Sequence, residues 1–137
     1  MLSRWTFWRY CILLNPMVKG HTFAQSDFDW QQLRQLAGED VDFEAELLAI
    51  FLHDAEESLR QLEQAIAHQN IRTIEEIAHS LRGASANVGA SALARAAHQL
   101  EQIARSGEMT GTQAQLQDLR SHYQIIWASR ESGNNPL

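Results

Sequence analysis

The sequence predicts an all-α protein: an antiparallel, up-down four-helix bundle with a short additional N-terminal helix. From Asp27 onward, apolar residues recur at three- and four-residue spacing, which is the period of an amphipathic helix. Only two prolines and seven glycines interrupt the 137 residues, so long helices can form. The sequence has no alternating β-branched run and no Asn-Gly or Asp-Gly hairpin signal, and these absences argue against strands.

The first two predicted helices run from Asp27 to Leu36 and from Asp42 to His68. Ser26 is the predicted N-cap of the first. The apolar side of the first helix comprises Phe28, Leu33 and Leu36, with Trp30 near its edge. The predicted buried stripe of the second comprises Phe43, Leu47, Leu48, Phe51, Leu52, Ala55, Leu59, Leu62 and Ile66. Acidic residues crowd the start of the second helix, where they favour its dipole.

Three further helices follow. Asn70 is predicted to cap the third, which ends near Val88 because Gly89 breaks it. The fourth spans about Ser91 to Arg105 and the fifth about Thr112 to Ser129. The links are short, so consecutive helices should be antiparallel neighbours. Their predicted inward residues are Ile71, Ile74, Ala78, Leu81, Ser85 and Val88 on the third, Leu93, Ala97, Leu100 and Ile103 on the fourth, and Leu116, Leu119, Tyr123, Ile126 and Trp127 on the fifth.

Composition narrows the function. A net charge of -6 argues against a general nucleic-acid binder, because a phosphate backbone requires a cationic face. The single cysteine, Cys11, excludes a disulfide framework and a cysteine-based zinc site. Residues 26–131 are predicted to form one domain, followed by a frayed tail over 132–137.

Residues 1–25 differ from the rest, since they carry basic residues and no acidic one. We interpret them as a poorly ordered leader of unknown role, with Met17 as an alternative start. Weak interfacial anchoring and packing onto the bundle are two alternatives. A secretory signal cleaved after Ala24 is a third, but Asn15 and Pro16 cut the apolar run below the usual length of about 7–15 residues. The run is also too short for a membrane span, which takes about 20 apolar residues.

The candidate reactive residues of the sequence lie on the third helix, around His79. At about 100° per residue, His79 lies roughly 140° from the buried stripe and should face solvent. Arg82, Gly83 and Ala86 are its neighbours at three, four and seven residues further on. A mid-helix glycine costs about 1 kcal/mol relative to alanine, so Gly83 needs a reason such as a close helix crossing or a partner's approach. A neutral imidazole is a nucleophile near physiological pH, and Arg82 places a fixed cation one turn away.

A lone surface histidine usually has no function, and the chain has six histidines. The segment Ala78-His79-Ser80-Leu81-Arg82-Gly83, with Ser85 and then Gly89-Ala90, nevertheless resembles the signature of histidine-containing phosphotransfer (HPt) domains of two-component phosphorelays. The resemblance covers about Asp27 to Ser129. It implies a monomeric four-helix bundle with an exposed phosphoacceptor histidine. Arginine at position 82, where the family often has lysine, is a mild departure.

Carried over onto this sequence, the resemblance makes His79 the phosphoacceptor. Arg82 becomes the basic residue near the phosphoryl group, and Gly83 becomes the residue that clears room for the partner. The implied partners are a response-regulator receiver domain and a hybrid sensor histidine kinase. The accepting aspartate and its Mg²⁺ would belong to the receiver, so the chain needs no cofactor. The chain is too short to add an ATP-binding domain, so we expect no autonomous kinase activity. The expected location is the cytoplasm.

The expected docking surface lies beside His79 on the third, second and short first helices. Its expected members are Ala86, Glu75, Glu76 and Trp30. Glu75 and Glu76 are better read as solvated helix charges than as general bases. No metal site is expected, because no two histidines have i, i+4 spacing.

Two other functions stay open. One is the dimerisation helix pair of a sensor kinase, which usually has an acid directly after the histidine, where this chain has Ser80. The other is a phosphorylation-independent helical scaffold or adaptor, which would be expected to have lost the histidine or the glycine.

Overall fold

The computed structural model describes residues 28–131. This part of the chain forms five helices and no strand. They are α1 (Trp30–Leu36), α2 (Val41–Ala67), α3 (Ile71–Val88), α4 (Ser91–Arg105) and α5 (Thr112–Glu131). The all-α prediction is confirmed. Three residues join α2 to α3, two join α3 to α4 and six join α4 to α5, so these helices run up and down.

The four long helices close into a bundle. In the described residues α3 packs on α2 and α4, and α5 packs on the same two helices from the other side. The short α1 lies against α2 and α3. The core between them is mostly aliphatic with a few aromatic residues, and its fully buried side chains include Leu33, Leu52, Leu62, Ile74, Leu93, Leu100, Leu116 and Leu119. This arrangement leaves one long face of α3 open to solvent.

Side-chain caps define where the helices start. The Asp40 carboxylate accepts hydrogen bonds from the backbone of Asp42 and Phe43 at the start of α2. Asn70, the predicted cap of α3, accepts one from the backbone of Thr73 at 3.2 Å. Gly89 ends α3 in the left-handed conformation, with φ 89°.

The start of α1 was predicted wrongly. This helix begins at Trp30 rather than Asp27, and its N-cap is Asp29, whose carboxylate accepts from the Gln32 backbone at 3.0 Å. The backbone N–H of Asp29 donates to the Gly89 carbonyl at 2.7 Å, so this part of the chain is tied to the α3–α4 turn. A Cβ on Gly89 would lie 2.5 Å from the Asp29 carbonyl oxygen, so only glycine fits there. Ser26 lies outside the described residues.

Two residues predicted to be buried are exposed. Leu36 is 51% exposed because it closes a helix of only two turns, and Phe43 is 44% exposed. The buried stripe of α2 passes through Glu44 instead of Phe43 in the first turn, and Glu44 pairs with Arg34 of α1 at 3.4 Å. Ile71, Leu47, Ile103 and Trp127 are only half-buried. Helix α2 begins and ends one residue earlier than predicted, and α5 continues to Glu131.

Among residues 28–131, no helix is long and apolar enough to cross a membrane.

Candidate functional site around His79

The exposed face of α3 presents His79. Ala78 and Leu81 on either side of it are buried, which fixes the rotation of the helix. The His79 side chain is 59% exposed, as the predicted angle from the buried stripe requires. The imidazole is therefore accessible from solvent while its backbone belongs to a well-packed helix.

One nitrogen of the His79 ring is held by a carboxylate from the neighbouring helix. His79 Nδ1 lies 2.9 Å from Oε1 of Glu101 on α4. The Glu101 side chain has no exposed surface although it is charged, whereas the ring it contacts is half open to solvent. Nε2 forms no hydrogen bond within the described part of the chain, so the two ring nitrogens differ: Nδ1 is anchored and Nε2 is available.

Two arginines compensate the buried carboxylate of Glu101. Arg105 Nη2 lies 2.9 Å from Oε1, and Arg82 Nε lies 3.3 Å from Oε2. Arg105 is itself held by Glu75 of α3, at 3.0 Å. A buried charge is tolerated only when it is paired in this way, so Glu101 acts as the centre of an ion-pair cluster that links α3 to α4.

The electrostatics of the cluster decide the tautomer of His79. Burial alone would raise the pKa of Glu101, but the hydrogen bond with His79 and the charges of Arg82 and Arg105 outweigh burial and hold that pKa below its usual value. Glu101 is therefore ionised at neutral pH and can only accept hydrogen bonds. Nδ1 of His79 has two neighbours, the Glu101 carboxylate at 2.9 Å and the Arg82 guanidinium at 3.3 Å, and the shorter contact with the acceptor favours a proton on Nδ1 and a lone pair on Nε2.

The same cluster includes a second histidine. Arg82 Nη1 donates to His98 Nδ1 at 2.9 Å, and Arg82 Nη2 lies 3.3 Å from Nδ1 of His79. Because a guanidinium can only donate, Nδ1 of His98 is the acceptor of this hydrogen bond. The sequence prediction of no metal site rested on the absence of close histidine pairs along the chain. The structure brings His79 and His98 to opposite sides of one guanidinium, and no group of three or more metal-binding side chains occurs in residues 28–131.

The surface next to His79 is made of small side chains. A Cβ added to Gly83 would meet no atom within 4 Å, so packing inside the described chain does not explain the glycine. Ser80, Ala84, Ala86 and Asn87 are exposed on the same helix. A close helix crossing, one of the two explanations that the sequence suggested for Gly83, therefore does not account for the glycine.

The four residues expected on the docking surface differ in their exposure and in their contacts. Ala86 is exposed on α3, near the point where Gln32 of α1 donates to the Ala86 carbonyl at 2.7 Å. Glu76 is solvated and pairs only with Arg72, at 3.2 Å, whereas Glu75 belongs to the Glu101 cluster. Trp30 is half-buried and packs against Phe28 with ring centroids 4.3 Å apart.

Sequence reasoning missed Glu101, His98 and Arg105. A usable signal was present, because Glu101 falls on the inward stripe of α4 with Ala97, Leu100 and Ala104. An acidic residue on the buried side of an amphipathic helix needs a partner. The identity of that partner depends on the packing of α3 against α4, which spacing along one helix does not reveal.

The acid stability of the protein should depend on Glu101. Its pKa is lowered in the folded state, so its stabilising contribution is present above about pH 4.5, the usual value, and is lost as pH falls through the folded pKa. We expect Glu101→Gln to lower the melting temperature at pH 7 by about 5 °C and to flatten its decline in acid. Thermal unfolding followed by circular dichroism between about pH 7 and 3 tests this. Glu76→Gln, which removes a solvated charge, is the control, and equal acid slopes in all three proteins would contradict the assignment.

The fold and site together define a helical bundle that presents an exposed histidine, anchored through Nδ1, on a face of small side chains. The Hpt domain model matches residues 46–129 of the chain. The chain therefore belongs to the Hpt domain family, whose members are phosphotransfer carriers of phosphorelays rather than kinases, and its role is histidine phosphotransfer. Comparison with curated protein sequences gave no match.

Solved structures of similar fold agree with the family. Histidine-containing phosphotransfer protein B from Pseudomonas aeruginosa PAO1 is 28% identical, with a TM-score of 0.75, over 83% of this chain and 99% of that chain. The HPT domain of a sensor hybrid histidine kinase from Shewanella is 16% identical, with a TM-score of 0.66, over 83% and 98% of the two chains. A rice protein described as a histidine-containing phosphotransfer protein is 20% identical, with a TM-score of 0.65, over 95% and 93%.

Proposed function

We propose that this protein is a phosphorelay intermediate that accepts a phosphoryl group on His79 from a phospho-aspartate receiver or a kinase. It then passes the group to an aspartate of a response-regulator receiver domain. The observation that carries the proposal is the asymmetry of the His79 ring, which lies on an exposed face: Nδ1 is bound to a buried carboxylate, whereas Nε2 has no hydrogen-bond partner among residues 28–131. Such an arrangement suits a nucleophile that must meet another protein.

The group transfer needs few residues of this chain. When a phospho-aspartate receiver is the donor, the lone pair of Nε2 forms the N–P bond while the P–O bond to the aspartate breaks, and the electron pair of that bond leaves on the aspartate carboxylate. Positioning and charge stabilisation dominate such reactions. In this proposal Arg82 is the cation that would hold phosphoryl oxygens, after its guanidinium turns from its contacts with Glu101 and Nδ1 of His79 toward Nε2 of the same ring. The phosphoryl-accepting aspartate and its Mg²⁺ belong to the receiver in this proposal.

A docking surface for the receiver extends from His79 across α3 to α2. Phe43, Leu47 and Ile50 recur at i, i+4 and i+7 and thus share one face of α2. Phe43 is 44% and Ile50 is 56% exposed, and the nearby chain adds Leu36 and Val41, which are also exposed. Glu63 lies on the opposite side of α2 from this apolar face, and it pairs with Arg120 of α5. The apolar face is therefore on the flank of α2 that is next to α3. Exposed apolar groups beside small residues are typical of a protein-docking surface.

A labelling experiment tests the proposed function. Purified protein is mixed separately with phosphoramidate, with a receiver domain phosphorylated by acetyl phosphate, and with ATP alone. We expect an acid-labile, base-stable mass gain of one phosphoryl group with the first two donors and none with ATP. A folded, helical protein that stays unlabelled with both donors would contradict the proposal and favour a phosphorylation-independent scaffold.

A substitution on α2 should weaken docking of the receiver without changing the reactivity of His79 toward a small phosphodonor. We expect Ile50→Glu to weaken transfer from the phosphorylated receiver at least about tenfold, because a charge replaces an apolar contact of about 1–3 kcal/mol at the interface. Labelling by phosphoramidate should not change. Ala114→Glu, on an exposed position of α5, is the matched control. Equal receiver-dependent rates for Ile50→Glu and wild type would place the docking surface elsewhere.

Magnesium should be required only when the receiver is present. We expect a chelator to stop transfer between His79 and the receiver, because the metal neutralises charge on the receiver's phosphorylation site. Labelling of the isolated protein by phosphoramidate should continue in the same chelator. Chelator-sensitive labelling without any receiver would instead place a metal requirement on this chain.

A further inference from the structure

We propose that the apolar docking face of α2 selects receiver domains that carry lysine or arginine around an apolar centre, and that Glu46 and Asp54 set this preference. The proposal rests on the proposed function and adds the chemistry of the partner to it. Glu46 precedes Ile50 by four residues and Asp54 follows it by four, so both carboxylates lie beside Ile50 on one face of the helix. Both acidic side chains are exposed, as Ile50 is.

This part of α2 has no basic residue that could neutralise the two carboxylates. Residues 41–59 include six acidic residues and no lysine or arginine. The six are Asp42, Glu44, Glu46, Asp54, Glu56 and Glu57. The next residue, Arg60, is held by Glu57 at 3.1 Å. Glu46 and Asp54 form no ion pair with any residue among 28–131, so their charges act on whatever protein covers Ile50.

The remainder of the docking surface has little net charge. The exposed residues of α3 that follow His79 are uncharged, and they include Ser80, Ala84 and Asn87. In the Glu101 cluster beside His79, two arginines are paired with two carboxylates. The charge that stays without a partner on this surface is therefore negative, and it lies on α2.

An unpaired charge next to an apolar contact affects the choice of partner more than the strength of binding. Complementary charges speed the encounter of two proteins, whereas like charges at an interface disfavour it. A receiver that covers Ile50 brings its own side chains close to Glu46 and Asp54. Lysine or arginine at those places would pair with the carboxylates, and an acidic residue would be repelled by them. The same face of α2 thus provides both apolar contact and selectivity.

The test uses two forms of one receiver domain. The first has lysine or arginine around the apolar part of its docking face, and the second has those cations changed to glutamate. Each is phosphorylated and mixed with the full chain, and transfer to His79 is timed in about 0.05 M and about 0.5 M NaCl, because salt screens exposed charges and leaves apolar contacts in place. The variants are Glu46→Lys/Asp54→Lys and the milder Glu46→Gln/Asp54→Asn. The control is Glu108→Lys/Asp118→Lys, which reverses two exposed charges outside α2 and α3.

We expect wild type to accept the phosphoryl group about tenfold faster from the cationic receiver than from its glutamate form in low salt. In high salt the difference should shrink to about twofold. Glu46→Lys/Asp54→Lys should prefer the glutamate form, and this rescue by the opposite receiver could not come from a damaged fold. Glu46→Gln/Asp54→Asn should show little preference, and the control should keep the preference of wild type.

Equal rates from the two receivers with wild type in low salt would overturn the inference. A lysine variant that keeps the wild-type preference would overturn it too. Neither result would affect acceptance of the phosphoryl group by His79. Wild type that is labelled by neither receiver nor by phosphoramidate would instead contradict the proposed function. Circular dichroism of each variant verifies its folding.

Discussion

Replacing His79 by glutamine should abolish phosphoryl acceptance, a loss of at least ~10³-fold with either phosphoramidate or a phosphorylated receiver. The amide has no nucleophilic nitrogen, although it can still hydrogen-bond to Glu101. Because the His79 side chain is 59% exposed, the fold should not change. Intact-mass measurement after incubation with the donor gives the result directly, and unfolding curves verify stability.

His53→Gln is the matched control for this substitution. His53 is exposed on α2 and takes no part in the Glu101 cluster. We expect it to be labelled like wild type. If His79→Gln were labelled as fast as wild type, His79 would not be the acceptor, and another of the six histidines would have to be considered.

Substitutions at Gly83 should distinguish the effect of this residue on folding stability from its effect on the approach of the partner. A Cβ at this position meets nothing within 4 Å, so Gly83→Ala should raise the free energy of unfolding by about 0.5–1 kcal/mol through its helix propensity. Gly83→Gln should also fold, since its side chain points into open space. It should slow transfer to and from a receiver by ~10²-fold or more, because displacing the reacting groups by about 1 Å lowers a rate by this factor.

Two measurements decide the Gly83 prediction. Denaturant unfolding of wild type and Gly83→Ala gives the stability change, and timed transfer with a receiver gives the kinetic one. Phosphoramidate labelling of Gly83→Gln should stay close to wild type, because a small donor needs no protein surface. Ala114→Gln on α5 is the control for adding the same side chain elsewhere. Normal receiver transfer by Gly83→Gln would show that the partner does not approach this turn.

Much of the fold was predictable from local patterns. Asn70 and Gly89 mark the two ends of α3 by mechanisms that act within a turn of the helix, and the predicted bounds of α4 match the structure. The errors occurred where tertiary contacts outweigh the local pattern. The ion pair between Arg34 and Glu44 turns Glu44 inward and leaves Phe43 exposed, and the Asp29–Gly89 hydrogen bond sets the start of α1.

The site was predictable only in part. Exposure of His79 followed from its angle to the buried stripe, and Arg82 followed from i, i+3 spacing. The anchoring of Nδ1 did not follow, because Glu101 lies 22 residues away on another helix. Contacts of this kind depend on how two helices pack and on the rotation of each about its axis. The buried stripe of a helix restricts that rotation, but it does not predict which polar side chains of the two helices come into contact.

The most direct test of the central claim follows the phosphoryl group through the protein. Wild type is labelled by a phosphorylated receiver domain and isolated. Its phosphorylated residue is identified by tandem mass spectrometry, and the protein is then mixed with a second, unphosphorylated receiver and Mg²⁺. We expect the label to reside on His79 and then to appear on the aspartate of the second receiver as His79 loses it. A label on any other residue, or one that stays on His79 while the second receiver remains unlabelled, would show that the protein is not a phosphorelay intermediate acting through His79.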